Sequence, residues 1–345
     1  MLAFIISEEH QYAVRDVLET RHHPLHGRIF ILSYSEFLSL PELPRATYLF
    51  LDIERLTPDR LIAAPKRIAQ LEKALPGTRI LNRPDRIVDR LTIMRRLWDA
   101  GINGFRVVPV TDPPADLRYP VFLRGMQDHE GPRSTLIGDA AELDRAVAAL
   151  PSPDGFAITE YIDARNAEGL HEKRSYMRIG DRLFPAARDV SRNWVCKGEY
   201  SNPEGVAQPD VELAFLTGTE DHDALQHAFD VTKIDYGRAD YAVVDGRPQL
   251  FEINTNPWVE PPEGVPAWAQ RSAGTIVSGW LSAIEALDAD SGIDQQEWVP
   301  VPGAIPTPPR TGFQRRNTVH RLLRRVGQLH RETGVMRRLR RMRLL

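Results

Sequence analysis

The sequence predicts a mixed α/β protein, and three observations carry that reading. Short apolar runs alternate with amphipathic helical patterns over the first 80 or so residues, two later segments read as β-hairpins with tight turns, and helical segments flank the second of them. The chain has 345 residues, 42% hydrophobic and 26% charged, which is ordinary for a soluble globular protein and enough to fill two or three packed units.

The elements follow in order. Residues 2–6, 28–32, 48–51 and 79–81 are strand-like, with helical patterns at 9–19 and 58–75, so the opening part reads as an open α/β domain with a mainly parallel sheet. The run 2–6 is too short for a secretory core, has no basic flank, and reads as a first buried strand. A single helix is expected over 85–100, stopped by Gly101, then strands at 105–110, 119–123 and 134–137, a helix at 140–150 and a strand at 156–162. The first hairpin pairs 174–179 with 182–187 about Gly180-Asp181, and the second pairs 240–244 with 248–253 about Asp245-Gly246. Helices are expected at 211–216, 221–231 and 267–287.

Beyond these, prolines 300, 302, 306, 308 and 309 mark residues 291–309 as an extended linker. Residues 310–345 then hold 12 arginines and one acid, leaving 32 basic against 46 acidic residues, a net of −14, in the rest of the chain. Leu322, Leu323, Val326 and Leu329 recur at helical spacing among those arginines, so the tail reads as a basic amphipathic helix. Three surfaces suit it: the acidic body of the protein, in the same chain or in a homodimer; an anionic membrane face; and, ranked last, nucleic acid. No apolar stretch approaches the roughly 20 residues that cross a bilayer. The single cysteine, Cys196, excludes an internal disulfide, fits a reducing compartment, and reads as a packed small side chain rather than a nucleophile. The location expected is cytoplasmic, peripheral to the membrane if the tail binds lipid.

The second hairpin holds the most constrained chemistry. Glu252 and Asn254 lie two apart on one strand and share a face, and pairing across Asp245-Gly246 sets Asp240 beside them. Three hard oxygen donors then converge, a set that suits Mg²⁺, with Mn²⁺ as the alternative.

The segments Gly237-Arg238-Ala239-Asp240 and Leu250-Phe251-Glu252-Ile253-Asn254-Thr255-Asn256-Pro257 resemble the metal-binding signature of the ATP-grasp superfamily, nearest to the ribosomal-protein glutamate ligases, glutathione synthetases and D-alanine ligases. The resemblance runs over roughly residues 82 to 260. It implies that Asp240, Glu252 and Asn254 hold magnesium against ATP phosphates and that Arg238 lies at the transferred phosphoryl group. Asp89-Arg90 and Pro120-Val121-Phe122-Leu123-Arg124 are similar to family segments whose lysines contact phosphate; both lysines are arginine here, which keeps the charge but replaces a compact ammonium with a planar fork. Residues 125–131 correspond to a loop that closes over the phosphates. Thr159-Glu160-Tyr161-Ile162-Asp163 resembles the linker that receives adenine through its backbone, which places Glu160, Tyr161 and Ile162 at the base and Asp163 at the ribose.

The implied architecture is an N-terminal Rossmann-like domain (1–84), two lobes (85–160 and 161–290) with ATP between them, the linker and the tail. The implied activity is amide formation from small-molecule carboxylate and amine substrates through an acyl phosphate. Phosphorylation of a hydroxyl, or ATP binding without turnover, are the alternatives. Arg174, Arg188 and Arg192, on or just beyond the first hairpin, are the candidates for an anionic substrate together with Trp194 and Lys197, although solvated strand charges account for those arginines equally well.

Overall fold

Unbroken apolar strands need both faces covered, and the N-terminal sheet meets that need. In chain order come β1 (Leu2–Ile6), α1 (Tyr12–Thr20), β2 (Ile29–Ser33), α2 (Tyr34–Ser39), β3 (Glu42–Pro44), β4 (Thr47–Phe50), α3 (Pro58–Ala74) and β5 (Ile80–Leu81). Strands β2-β1-β4-β5 form one parallel sheet. Every residue of β1 and β4 is buried. Helix α2, absent from the sequence reading, starts on a full capping box, with Ser33 accepting from Glu36 N–H and Glu36 accepting from Ser33 N–H. The computed structural model describes residues 1–305 apart from residue 88 and the segments 127–130, 197–203 and 262–264. Most of the expected phosphate loop, Lys197, residues 306–309 of the proline-rich segment and the whole basic tail lie outside the described residues.

The helix expected over 85–100 is two helices, α4 (Pro84–Ile87) and α5 (Arg90–Asp99). Asp89 is the reason: its backbone is extended at φ −153° and its carboxylate accepts from Thr92 N–H at 2.7 Å, capping a new helix that begins at Arg90. Strands β6 (Val107–Pro109), β7 (Val121–Gly125) and β8 (Phe156–Glu160), with α6 (Ala140–Ala148) between β7 and β8, form an antiparallel sheet in the order β6-β8-β7. The strand expected at 134–137 is absent; Ile137 makes a lone bridge to Val121, and Ser134 spends its hydroxyl accepting from Leu123 N–H.

The remaining elements are β9 (His171–Ile179), β10 (Arg182–Ser191), α7 (Pro209–Leu216), α8 (His222–Thr232), β11 (Tyr236–Val244), β12 (Arg247–Asn254), α9 (Gln270–Asp290) and β13 (Trp298–Pro300). Both expected hairpins form and join into one antiparallel sheet, β10-β9-β11-β12. Asp245 at φ 50° and Gly246 at φ 73° make the tight turn of the second, a conformation that Asp tolerates and Gly adopts freely. Gly237 is needed for space: a Cβ there would sit 3.0 Å from Asn254 O and 3.2 Å from Ile234 and Ile253.

Helix α9 buries Val277, Trp280, Ile284 and Leu287 in a core shared with β1 and β9, where Trp280 Nε1–H donates to Tyr236 OH at 3.0 Å. Met1–Ala304 form one unit, and of the second, Ile305–Leu345, only Ile305 is described. The segment read as a linker from residue 291 packs as far as Val301. Strand β13 pairs with β3, and buried Arg67 donates to the carbonyls of Phe37, Leu40, Val301 and Pro302.

Candidate active site

The site begins with a register. In the β11–β12 ladder Asp240 is opposite Glu252 and Arg238 is opposite Asn254, so period-two alternation puts all four side chains on one face of the sheet. The β9–β11 pairing adds Ser175, opposite Asp240, and with it Lys173 two residues away. That face lines a cleft of about 970 Å³. Across the cleft stand Phe122 and Arg124 of β7 and the end of β8, and the N-terminal part closes one end with His10, Tyr12 and Arg55.

Charge in the cleft is closely paired. Asp240, 6% exposed, accepts from Ser175 Oγ at 2.9 Å and Arg238 Nε at 3.0 Å, with Lys173 Nζ at 3.7 Å. Asp240 holds the Arg238 guanidinium above its ordinary pKa. Burial pulls the Lys173 ammonium down, but Asp240 and Asp189 more than offset this and hold it above its usual range. Glu252 is bridged by the two arginines that stand where the resemblance has lysines: Arg124 Nη2 is at 2.7 Å and Arg90 Nη2 at 3.3 Å from Oε2. Arg124 thus joins the small sheet to the large one, while its buried Nε has no hydrogen-bond partner among the described residues. Arg90 also donates to Gly125 O and does not line the cleft.

Asp240, Glu252 and Asn254 suit a divalent cation by their chemistry, two carboxylates and an amide oxygen on one sheet face. Among the described residues no three His, Cys, Asp and Glu gather as metal ligands, and an ion held by this trio would draw further oxygens from beyond it, as Mg²⁺ does from water and phosphate.

The other end of the cleft is aromatic. Trp194 packs on Phe122 with centroids 5.0 Å apart and on Tyr161 at 5.9 Å, beside Ile162 and the buried Thr159 Oγ1, which has no hydrogen-bond partner among the described residues. Glu160 turns its carboxylate away, onto Arg106 and Arg118, whose guanidiniums stack on Trp98. Burial alone would raise that carboxyl, but the bonds from Arg118 and Arg106 draw it down to about 2. Only the backbone of Glu160 remains to face a base. Asp163 does not line the cleft; its carboxylate is held by Arg165.

No family model matches the sequence, and no curated protein matches it significantly. Solved structures similar to the chain include a D-alanine–D-alanine ligase from Bacillus anthracis complexed with ATP, at 15% identity over 84% of this chain and 96% of that one, with a TM-score of 0.47. A RimK domain ATP-grasp protein from Sphaerobacter thermophilus is also 15% identical, over 81% and 98%, at 0.44, and the ATP-grasp ligase PsnB complexed with a minimal precursor is 15% identical, over 81% and 99%, at 0.45. Likeness of this degree assigns no activity; the side chains must do so.

The three substrate arginines do not reach the cleft. Arg174 and Arg188 face each other on the far side of the β9–β10 ladder, where Arg174 pairs with Glu172, Glu220 and Asp221 and Arg188 with Glu172. Arg192 is exposed and outside the lining. Alternation is the physical reason: Lys173, one residue from Arg174, takes the inward position that the sequence reading gave to its neighbour. Cys196 lines the cleft half-buried, its thiol pushed up to about 11 by burial, which fits a packed side chain and not a nucleophile. Sequence reasoning also missed Asp189, Thr159, His10, Arg55 and Asn256. The two-residue period groups Lys173 with Ser175 on one face of β9 but does not say that this face meets the cleft; for His10 and Arg55 there was no signal, because they lie 45 residues from each other and His10 lies 246 from Asn256.

Proposed function

We propose that this chain is an ATP- and magnesium-dependent carboxylate–amine ligase of the ATP-grasp type. The observation that carries the reading is the pairing of Asp240 with Glu252 on a sheet face that also bears Arg238, Lys173 and Asn254, with Arg124 reaching Glu252 from the facing sheet. In this reading residues 1–84 are the N-terminal domain, ATP lies between the lobes 85–160 and 161–290, and the protein acts in the cytoplasm. The adenine sits against Phe122, Tyr161 and Trp194, near the backbone of Glu160 and Ile162. Arg124, which lines the cleft, takes the phosphates, with Arg90 behind it on Glu252. Mg²⁺, held by Asp240, Glu252 and Asn254, supplies charge neutralisation of the triphosphate.

Positioning and electrostatics then do the chemistry. An oxygen of the substrate carboxylate attacks the γ-phosphorus as the bond to ADP breaks, giving an acyl phosphate. Arg238 and Lys173 line this region and hold the carboxylate and the charge that develops on it. The amine nitrogen attacks the acyl carbon, the bond to phosphate breaks, and the nitrogen loses a proton. No side-chain nucleophile is required.

The test incubates the pure protein with ATP, magnesium and pooled carboxylates and amines, following ADP release and new masses together. An amide formed with stoichiometric ADP is expected. A phosphate ester would replace ligation by kinase chemistry, and a folded Glu252→Ala protein with unchanged magnesium-dependent turnover would overturn the metal assignment.

A further inference from the structure

At the N-terminal end of the cleft a second polar cluster surrounds Asp52, whose side chain is 1% exposed. Asp52 Oδ2 accepts from Ser7 N–H at 3.2 Å and Asn256 Nδ2 at 3.1 Å and lies 3.3 Å from His10 Nδ1; Arg55 Nη1 is 3.8 Å from Oδ1. Both ring nitrogens of His10 lie within reach of Arg55 Nη1, Nδ1 at 2.9 Å and Nε2 at 2.8 Å, so the ring bridges Arg55 and Asp52. The turn that carries these groups has Asp52 in the left-handed region at φ 57° and is locked to the end of β12 by Ile53 N–H to Thr255 Oγ1 and Thr255 Oγ1–H to Glu54.

Three buried atoms here have no hydrogen-bond partner among the described residues: Arg55 Nε, Asn256 Oδ1 and Asp52 Oδ1. Asn256 is 8% exposed and, with Arg55, lines the cleft. Its orientation is fixed, because Nδ2 already donates to two oxygens, His10 O and Asp52 Oδ2, so Oδ1 is an acceptor. Buried polar atoms rarely stay unpaired, and each costs stability until a ligand or water supplies its partner. Of the three residues, Arg55 and Asn256 line the cleft, and one donor beside one acceptor asks for a ligand with an acceptor beside a donor. Next to them Tyr12 and Trp258, 40% and 44% exposed, form an edge-to-face pair at 6.2 Å on the cleft wall.

We propose that this end of the cleft is the acceptor subsite of the ligase, and that it takes a small molecule in which an amine adjoins a carboxylate on an apolar or aromatic body. Arg55 Nε binds the carboxylate, Asn256 Oδ1 receives an amine hydrogen with the Asp52 carboxylate behind it, and Tyr12 and Trp258 cover the body. The amine is thereby set close to the metal ladder, since Asn256 N–H donates to Asn254 Oδ1 at 2.8 Å. The assignment of the amine as attacking group rests on the ligase reading; the binding site itself does not.

The test uses the full chain and four probes, L- and D-phenylalanine, phenethylamine and 3-phenylpropanoate, titrated calorimetrically and by tryptophan fluorescence. One phenylalanine enantiomer is expected to bind at least about tenfold more tightly than either half-molecule, the usual worth of a hydrogen bond to a charged group. Arg55→Met should reduce phenylalanine to the affinity of phenethylamine, and Asn256→Leu to that of 3-phenylpropanoate. Half-molecules that bind as well as phenylalanine, an Arg55→Met protein of unchanged affinity, or no saturable binding of any probe would each overturn the subsite; the wild-type comparison stands even if a variant fails to fold. Binding of a magnesium complex of a non-hydrolysable ATP analogue is measured alongside: its absence in the wild type sinks the nucleotide reading alone, while its retention in Arg55→Met shows that the lost amino acid binding is local.

Discussion

Glu252 answers two demands at one position. It is the metal ligand of the proposed site, and its carboxylate is bridged by Arg90 and Arg124, both largely buried. Glu252→Gln is therefore expected to lose magnesium-dependent ADP release by at least about a hundredfold and also to lower stability by about 3 kcal/mol, as when one partner of a buried charge set is removed. Thermal unfolding beside the activity assay checks both, and a protein of unchanged Tm would show that the bridging is marginal. Glu160 offers a pH readout. Its folded carboxyl titrates near 2, below the unfolded value near 4.5, so its contribution is complete above the unfolded value and is lost as pH falls from there towards 2. Glu160→Gln should flatten the stability profile between pH 5 and pH 2 relative to wild type, measured by denaturant unfolding at stepped pH. An identical slope in both proteins would show that Arg106 and Arg118 do not hold this carboxylate in solution.

At the scale of elements, the β11–β12 hairpin was legible because its determinants are local. The two-residue period fixes the face of Glu252 and Asn254, and Asp245-Gly246 fixes the turn, which sets the register that brings Asp240 opposite Glu252. Gly237 is the tight point of the same ladder. Gly237→Ala forces its methyl against the carbonyl of Asn254 and is expected to cost about 1–3 kcal/mol, with magnesium-dependent turnover falling in parallel. Equal unfolding midpoints for the variant and the wild type would refute this. Elsewhere the reading failed, once on a local cap and once on a distant packing choice. The helix over 85–100 splits at Asp89 because a carboxylate that can cap a backbone N–H competes with continuing the helix. The arginines of the first hairpin were assigned to the substrate because nothing in the sequence says which face of β9 meets Asp240.

For the whole molecule, the segment after α9 belongs to the folded unit. Arg67 reaches across from α3 to bond Val301 and Pro302, and β13 closes on β3. A chain ending at Asp290 strips two of the four carbonyls from a buried guanidinium and is expected to unfold several degrees below one ending at Ala304. Matching melting curves would mean that β13 is dispensable. The basic tail gives a separate test: if it binds lipid, the full chain pellets with anionic liposomes and a chain ending at Pro309 does not, whereas equal pelleting removes the lipid role.

The sequence by itself determined the alternation of elements, both hairpins, and three oxygen-bearing side chains on neighbouring strands, because periodicity and turn chemistry act over a few residues. The tertiary structure alone decided which cations neutralise Glu252, that Lys173 rather than Arg174 faces the cleft, and that His10, Asp52, Arg55 and Asn256 meet at its end. Those contacts join positions as much as 246 residues apart, where strand register and the packing of one sheet on another set the distances.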